Sequence, residues 1–328
     1  MPVNVGLTFL IGGILGWIAA KILKPDRHLE ALLIACCSAG NLGTMPLIIV
    51  PAICDQDGNP FGDSATCHSQ GLSYVSFSMA LGNFFIWTHT YSLIKKSIGQ
   101  SSRITQNAEV NRDEQDYDDK EALLLPPSDG ISDEQTEIER AEKLKDMIVS
   151  TWEKTKETVH RVAKELLQPP NTAAVFGFAV GTVPWLKSLI VGEAAPLKVV
   201  QDCMVLLGNA AVPSTIIILG GNLTEGLRKS TLKPLVIAAI ICVRYVMLPL
   251  FGILVVTAAG HLGFLPRSPL YRYVLLIQYT VPPAMSIGTM TQLFEACKEE
   301  CSVLFLWTYA VAALALTIWS MVFISIVG

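Results

Sequence analysis

Residues 29–54 read LEALLIACCSAGNLGTMPLIIVPAIC, and residues 271–294 read YRYVLLIQYTVPPAMSIGTMTQLF. Each stretch is long and apolar enough to cross a bilayer as a helix, and each carries helix-breaking residues near its centre. The sequence therefore predicts two membrane helices that unwind halfway across the membrane. The residues that mark the two breaks are Asn41, Gly43, Pro46, Pro282 and Pro283.

The composition is that of a membrane protein. Of 328 residues, 51% are hydrophobic and 16% are charged, and the mean hydropathy is +0.47, whereas soluble domains carry about 25% charged residues. Residues 98–168 hold 27 of the 52 charged side chains, so the rest of the chain is strongly apolar. This distribution excludes a fully soluble fold. The net charge of −4, without a basic patch, argues against a nucleic-acid partner.

Apolar runs bounded by charged or turn residues predict eight membrane spans. Each run is about twice as long as a transmembrane β-strand, and none alternates strictly between apolar and polar residues. Because backbone groups in lipid must be satisfied within the chain, the predicted fold is an all-α polytopic bundle. The predicted spans are 3–23, 29–53, 70–95, 170–190, 196–221, 232–259, 271–294 and 301–327.

The first three spans and the last three share one pattern, in which a broken helix lies between two plain helices. The two triplets start five spans apart, so they enter the membrane from opposite sides. An inverted repeat with two broken crossover helices is the layout of many secondary transporters. The sequence thus predicts an N-terminal repeat of three spans at 1–97, a hydrophilic segment at 98–168 and a C-terminal repeat of five spans at 169–328.

The two breaks predict a binding site for an organic anion. Unwinding leaves two half-helix N-termini near the midplane, and their partial positive charge favours an anion. Asn41 offers an amide donor, and Tyr279 offers an aromatic surface about one turn before the second break. Simple proline kinks are the alternative interpretation. The candidate substrate-binding residues are Asn41, Gly43, Pro46, Gln278, Tyr279, Pro282 and Pro283.

Arg244 is an ionisable side chain deep inside a predicted span. It follows Lys233 by about eleven residues, or ~16 Å of helix, which is close to half the hydrocarbon thickness. A charge at this depth is a functional candidate. The alternatives are a structural pair with Asp202, or a side chain that extends to the cytosolic surface. Asp202 is also the nearest candidate for a proton relay.

Basic residues in the short loops predict the orientation of the chain. They lie between the first and second spans and between the fifth and sixth, which places both loops and residues 98–168 in the cytosol. Residues 98–135 are polar and acidic, and we expect them to be disordered. Apolar residues at helical spacing predict an amphipathic helix near 141–167 on the membrane surface. A binding site for a regulatory partner is the less favoured alternative there.

No motif in the sequence points to an enzyme, a metal site or a cofactor. The eight cysteines lack the spacing of zinc ligands, and the five histidines form no cluster. Cys54 and Cys67 bracket the predicted luminal loop, where an oxidising compartment would allow a disulfide. Two free thiols remain an equal alternative for this pair.

Six stretches of the sequence are distinctive enough to compare with known families. They are GLTFLIGGILGW (6–17), NLGTMPLIIVPAIC (41–54), GLSYVSFSMALGNFFIWT (71–88), ILGGNL (218–223), YRYVLLIQYTVPPAM (271–285) and ECSVLFLWTYAVAALALTIWS (300–320). These stretches resemble the plant PIN-LIKES family, within the auxin efflux carrier superfamily. The resemblance covers nearly the whole chain outside residues 98–168.

The resemblance implies a function and a location. Family members carry auxins such as indole-3-acetic acid, and PIN-LIKES proteins reside in the endoplasmic reticulum, where they limit nuclear auxin signalling. Related carriers hold the substrate where the two broken helices cross. We therefore expect this chain to be a multi-pass carrier whose partners are an auxin-like anion and the lipid bilayer, with a homodimer left open.

The chain departs from the family pattern at its start. Ten helices are expected and eight are predicted here, because Met1 leads directly into the first span. We therefore expect the family's first two helices to be missing from this sequence. A truncated, non-transporting regulatory subunit, or a carrier of another organic anion, is the alternative function.

Overall fold

The computed structural model describes residues 1–56, 58–97, 169–193, 195–229 and 232–327. Within these residues every regular element is a helix, and one isolated bridge joins Gly40 to Pro283. The predicted amphipathic helix near 141–167 lies outside the described residues. The helices are α1 (Pro2–Leu23), α2 (Arg27–Ser38), α3 (Thr44–Cys54), α4 (Ser64–Phe85), α5 (Pro169–Thr182), α6 (Pro184–Ile190), α7 (Lys198–Lys229), α8 (Pro234–Cys242), α9 (Leu248–His261), α10 (Pro269–Ile277), α11 (Ser286–Leu293) and α12 (Lys298–Val327).

Helices occur at all eight positions where the sequence predicts a span. Among the described residues, three helices are long and apolar enough to cross a membrane alone: Pro2–Leu23, Pro234–His261 and Lys298–Val327. The two pairs α2/α3 and α10/α11 consist of helices of only 8 to 12 residues, each about half of a bilayer crossing. The count of eight spans and the inverted repeat therefore stay predictions.

The span predicted at 170–190 is bent in the structure. Asn171–Thr182 and Pro184–Ile190 meet at an angle of 103°. Val183 between them has an extended backbone (φ −90°, ψ 109°). The cause is local, because the ring of Pro184 disfavours a helical conformation in the residue before it.

Helix α1 packs tightly against α2, the first half of the first broken helix. Gly12 lies against the backbone of Cys37 and Ser38, and a Cβ at this position would be 2.9 Å from the Cα of Ser38. Gly16, one turn later, lies against the Cβ of Cys37. Small residues let membrane helices approach until their backbones touch. The end of α2, where the chain unwinds, is thus supported by α1.

Helices α8 and α9 are joined by a π-helical turn, Val243–Met247. Pro249 has no N–H and cannot bond the carbonyl of Tyr245 four residues earlier. The indole N–H of Trp319 on α12 donates to that carbonyl instead, at 2.8 Å. This turn contains Arg244, so the departure from α-helical geometry lies at the buried charge.

Cys54 at the end of α3 and Cys67 in the first turn of α4 form a disulfide in the structure, with Cα atoms 5.7 Å apart. The bond joins the second half of the first broken helix to the next helix across a short loop. The two cysteines are both buried. Of the two alternatives for Cys54 and Cys67, a disulfide or two free thiols, the structure has the disulfide.

Replacing Cys54 and Cys67 together with serine should lower the free energy of unfolding by about 2 kcal/mol, because the open chain gains entropy when unfolded. Thermal unfolding in detergent measures this, with the exposed Cys203→Ser as the matched control. Thiol labelling of denatured protein should yield two more reactive thiols after reduction. Equal thiol counts with and without reductant would contradict the pairing.

Candidate functional site

The two helix breaks lie against each other in antiparallel orientation. Helix α2 ends at Ser38 and α3 begins at Thr44, whereas α10 ends at Ile277 and α11 begins at Ser286. Between the two unwound segments, the N–H of Asn41 donates to the carbonyl of Pro282 at 2.8 Å, and the N–H of Ala284 donates to the carbonyl of Ala39 at 2.9 Å. The backbone groups freed by one break therefore satisfy those freed by the other.

Tyr309 on α12 connects the two breaks through its hydroxyl. The Asn41 side-chain amide donates to this oxygen at 3.0 Å, and the hydroxyl donates to the carbonyl of Pro283 at 2.8 Å. The Asn41 Oδ1 accepts from the N–H of Thr44 at 3.1 Å and so caps the start of α3. Asn41 is therefore first a residue that shapes the crossover, with one amide hydrogen left for a ligand.

Backbone carbonyls near the C-terminal ends of α2 and α10 also accept hydrogen bonds from side chains. Arg244 Nε donates to the carbonyl of Cys36 at the end of α2, at 2.8 Å. Asn4 Nδ2 donates to the carbonyl of Leu275 near the end of α10, at 3.0 Å. Both helix C-termini thus receive a donor from another helix, which is what an unwound membrane helix needs to persist.

A cavity of about 310 Å³ lies at the crossover. The first residues of α3 and α11 line it, so two helix N-termini with their partial positive charges border the same space. Its polar lining comes from Asn41, Asn83, Thr44, Ser286 and Thr289, and its apolar lining includes side chains from both breaks and α4. The cavity is lined by residues 40–44, Met79, Gly82, Asn83, Ile86, 284–286 and Thr289.

Of the seven predicted substrate-binding residues, Asn41 and Gly43 line the cavity. Pro46, Pro282 and Pro283 are buried and do not line it: Pro46 lies in the first turn of α3, and Pro282 and Pro283 lie in the second unwound segment. Gln278 and Tyr279 do not line it, and both side chains are almost fully buried at the start of the second unwound segment. Contact between these seven residues and a substrate stays a prediction.

Gln278 and Tyr279 instead belong to a polar network that joins α1, α4 and the end of α10. Gln278 Nε2 donates to the hydroxyl of Ser78 at 2.8 Å, and its Oε1 accepts from Asn4 at 2.9 Å. The Tyr279 hydroxyl donates to Asn4 Oδ1 at 3.2 Å. Because these groups satisfy one another, the network fixes the end of α10 relative to α1.

The Arg244–Asp202 pair considered from the sequence is absent from the described residues. Arg244 is only 1% exposed, whereas Asp202 is exposed on α7. The alternative of a side chain extending to the cytosolic surface does not hold either, since the guanidinium is buried beside Cys36 and Gly40. Arg244 therefore lies within the crossover region itself.

The sequence analysis missed Tyr309, Asn83, Ser286 and Thr289. Asn83 could have been noticed as an amide inside the apolar run of α4, and Ser286 and Thr289 as small polar residues just after the second break. Tyr309 carries no such signal, because a tyrosine in an apolar helix is usually an ordinary core residue. Among the described residues, no group of His, Cys, Asp or Glu side chains could hold a metal ion.

Replacing Tyr309 with phenylalanine should weaken ligand binding at the crossover about tenfold, because two partly buried hydrogen bonds that align the breaks are lost. The matched control is Tyr273→Phe, which removes one hydrogen bond, to Ser320, away from the cavity. Isothermal titration of both variants checks this. An equal loss of affinity in the two variants would contradict a specific role for Tyr309.

An all-helical membrane chain with paired helix breaks around a small cavity has the architecture of a transporter. A family profile described as "Membrane transport protein" matches residues 1–320. The chain belongs to this family and is a multi-pass membrane protein. The family is a transporter family, which is not a class of enzymes.

The most informative relatives come from Arabidopsis thaliana. The protein PIN-LIKES 5 is 50% identical over 328 residues, covering 99% of this chain and 80% of that protein. PIN-LIKES 7 is also 50% identical, covering 100% of this chain and 81% of its own length. An uncharacterized transporter of Saccharomyces cerevisiae is 22% identical over 97% of the chain. No solved structure matches.

The chain is thereby a PIN-LIKES protein of the auxin efflux carrier family, as its motifs predicted. Its role is related to auxin transport in a membrane.

Proposed function

We propose that this protein carries indole-3-acetate and similar organic anions across the endoplasmic reticulum membrane and so regulates cellular auxin levels and signalling. The observation that carries the proposal is the crossover cavity, where two helix N-termini and the Asn41 amide border one space of about 310 Å³. That volume lies at the small end of ligand pockets, which suits a compact aromatic acid.

The lining supports an amphipathic anion in a definite orientation. The carboxylate would lie at the starts of α3 and α11, near Thr44 and Ser286, where backbone dipoles favour negative charge. The aromatic ring would lie against the apolar side chains of Met79 on α4 and of Ile86, which directly follows that helix. A cationic ligand would be disfavoured by the first of these features.

The contacts between the breaks support movement of the broken helices as one unit. Two backbone hydrogen bonds and the bridging Tyr309 hydroxyl join them directly. Alternating access would then proceed by a shift of this unit relative to the remaining helices, as in other carriers with broken helices. The site would open first to one side of the membrane and then to the other, while the contacts between the two breaks stay intact.

The proposed compartment comes from the PIN-LIKES resemblance, which implies the endoplasmic reticulum. The disulfide between α3 and α4 is compatible with it, because an oxidising lumen permits such a bond. Fluorescent fusions of the full chain, imaged with a reticulum marker, test the location. Labelling confined to the plasma membrane would contradict it.

Transport is tested with purified protein reconstituted in liposomes and radiolabelled indole-3-acetate. We expect saturable uptake that unlabelled indole-3-acetate abolishes and that a cationic indole such as tryptamine does not. Protein-free liposomes measure the passive entry of the protonated acid. Uptake equal to that background would overturn the proposal of a carrier.

A further inference from the structure

Among the described residues, Arg244 is the largest fully buried side chain, and it is the one buried residue that carries a charge. A cation at this depth is costly unless an anion or several acceptors compensate for it. The acidic side chains that the structure describes are all at least partly exposed. The charge of Arg244 therefore has no buried carboxylate to balance it in this part of the chain.

The guanidinium is only partly satisfied by hydrogen bonds. Its Nε donates to the carbonyl of Cys36, and this carbonyl belongs to the negative end of the α2 dipole. Its Nη2 is buried and lacks a hydrogen-bond partner among the described residues. One helix C-terminus offsets about half a charge, so a net positive charge remains.

Gly40 lies against this charge and also lines the crossover cavity. Gly40 lines the cavity, and a Cβ at Gly40 would be 2.9 Å from Arg244 Nη1 and 2.8 Å from a methyl of Val281. The guanidinium therefore lies directly behind a part of the cavity wall that has no side chain. In a low-dielectric interior, a charge at this range acts strongly on a ligand in the cavity.

We propose that Arg244 determines the charge selectivity of the crossover cavity: its guanidinium, lying behind Gly40, attracts an organic monoanion and disfavours a neutral ligand of the same shape. Arg244 acts through the wall and is a positioning residue that does not touch the ligand. The bound anion supplies the negative charge that the protein lacks around Arg244. The inference rests on the proposed function only in taking this cavity as the binding site.

A purely structural role for Arg244, as a donor to the end of α2, makes a different prediction. Loss of a structural donor would deform the breaks and weaken the binding of charged and neutral ligands to the same extent. Loss of an electrostatic role would weaken only the binding of the anion. The ratio of the affinities for the charged and the neutral ligand therefore distinguishes the two roles. A change in fold stability affects both affinities equally and does not alter their ratio.

The experiment measures binding of indole-3-acetate and of its neutral isostere indole-3-acetamide to the full chain in detergent at neutral pH, where the acid is ionised. Wild type should prefer the acid at least about tenfold. Arg244→Gln should abolish most of this preference without weakening amide binding, and Arg244→Lys, which keeps the charge, should retain most of it. The matched control is Arg272→Gln, which removes a half-buried arginine away from the cavity and should leave the ratio unchanged.

Equal losses of acid and amide binding in Arg244→Gln, or a wild-type ratio near one, would overturn the inference. Should Arg244→Gln fail to fold, Gly40→Ala decides, because its methyl group displaces the guanidinium while the charge remains in the protein. The acid-to-amide ratio should then fall, and an unchanged ratio contradicts the inference. If neither ligand binds wild type, or if Asn41→Ala leaves binding intact, the proposed function fails instead.

Discussion

Replacing Asn41 with alanine is expected to reduce the affinity for indole-3-acetate about a hundredfold, because two partly buried hydrogen bonds at the crossover disappear together. One bond joins the side-chain amide to Tyr309, and the other caps α3 through the N–H of Thr44. The variant would thus lose both the side-chain link to Tyr309 and the amide hydrogen available to the ligand. The backbone bond from Asn41 to Pro282 remains, so the fold should persist.

The matched control is Asn59→Ala in the loop between α3 and α4. Asn59 also makes two hydrogen bonds, donating to the carbonyl of Cys54 at 2.9 Å and accepting from the N–H of Phe61 at 3.0 Å. It lies outside the cavity, so its loss should alter stability but not affinity. Titration of both purified variants measures the difference. Wild-type affinity in Asn41→Ala would remove the residue from the site.

The largest expected effect on stability is that of Gly12→Ala. A Cβ at Gly12 would collide with the carbonyl oxygen of Cys37 and lie 2.9 Å from the Cα of Ser38. These are backbone atoms and cannot rotate away, so α1 and α2 would have to separate. We expect a loss of about 3 kcal/mol in the free energy of unfolding, the upper range for an overpacked site.

The neighbouring glycine supplies an exact test of this packing. A Cβ at Gly13 would have its nearest neighbour, the Cβ of Ser38, at 3.9 Å, which is ordinary van der Waals contact. Gly13→Ala should therefore be neutral or slightly stabilising, since alanine favours a helix over glycine. Thermal unfolding of the two variants in the same detergent compares them. Similar midpoints for both would refute the close α1–α2 contact.

The Gly12 contact also bears on the site. Ser38 is the last residue of α2, and the unwound segment that carries Gly40 and Asn41 follows directly. A shift of α2 would therefore move the carbonyl of Cys36 away from Arg244. We expect Gly12→Ala to reduce ligand affinity as a secondary consequence, whereas Gly13→Ala should not.

The broken helices could be predicted from sequence because their cause is local. Asn, Gly and Pro residues interrupt an otherwise apolar run, and each lowers helix stability through its own backbone properties. The structure accordingly ends α2 just before Asn41 and starts α11 just after Pro283. The same local argument explains the bend at Val183, where the effect of Pro184 was present in the sequence and overlooked.

The residues around the cavity could not be predicted in the same way. From the sequence we expect Gln278 and Tyr279 one turn before the second break, but in the structure they begin the unwound segment, and both side chains bond Asn4 on α1. Tyr309 is 26 residues from Pro283 along the chain and bonds its carbonyl only because α12 packs beside the break. Helix rotation and packing partners depend on contacts between distant segments, which periodicity alone does not encode.

By itself, the sequence determined that this chain is a helical membrane protein, that two of its helices break, and that it belongs to the auxin efflux carrier family. Composition, the positions of proline and glycine, and family motifs are local properties. They can be recognised in the sequence without knowledge of the fold. Only the tertiary structure decided that the two breaks bond each other, that Tyr309 joins them, and that Arg244 lies behind Gly40. Backbone groups freed inside a membrane must find partners, and which partners they find depends on the packing of helices far apart in the chain.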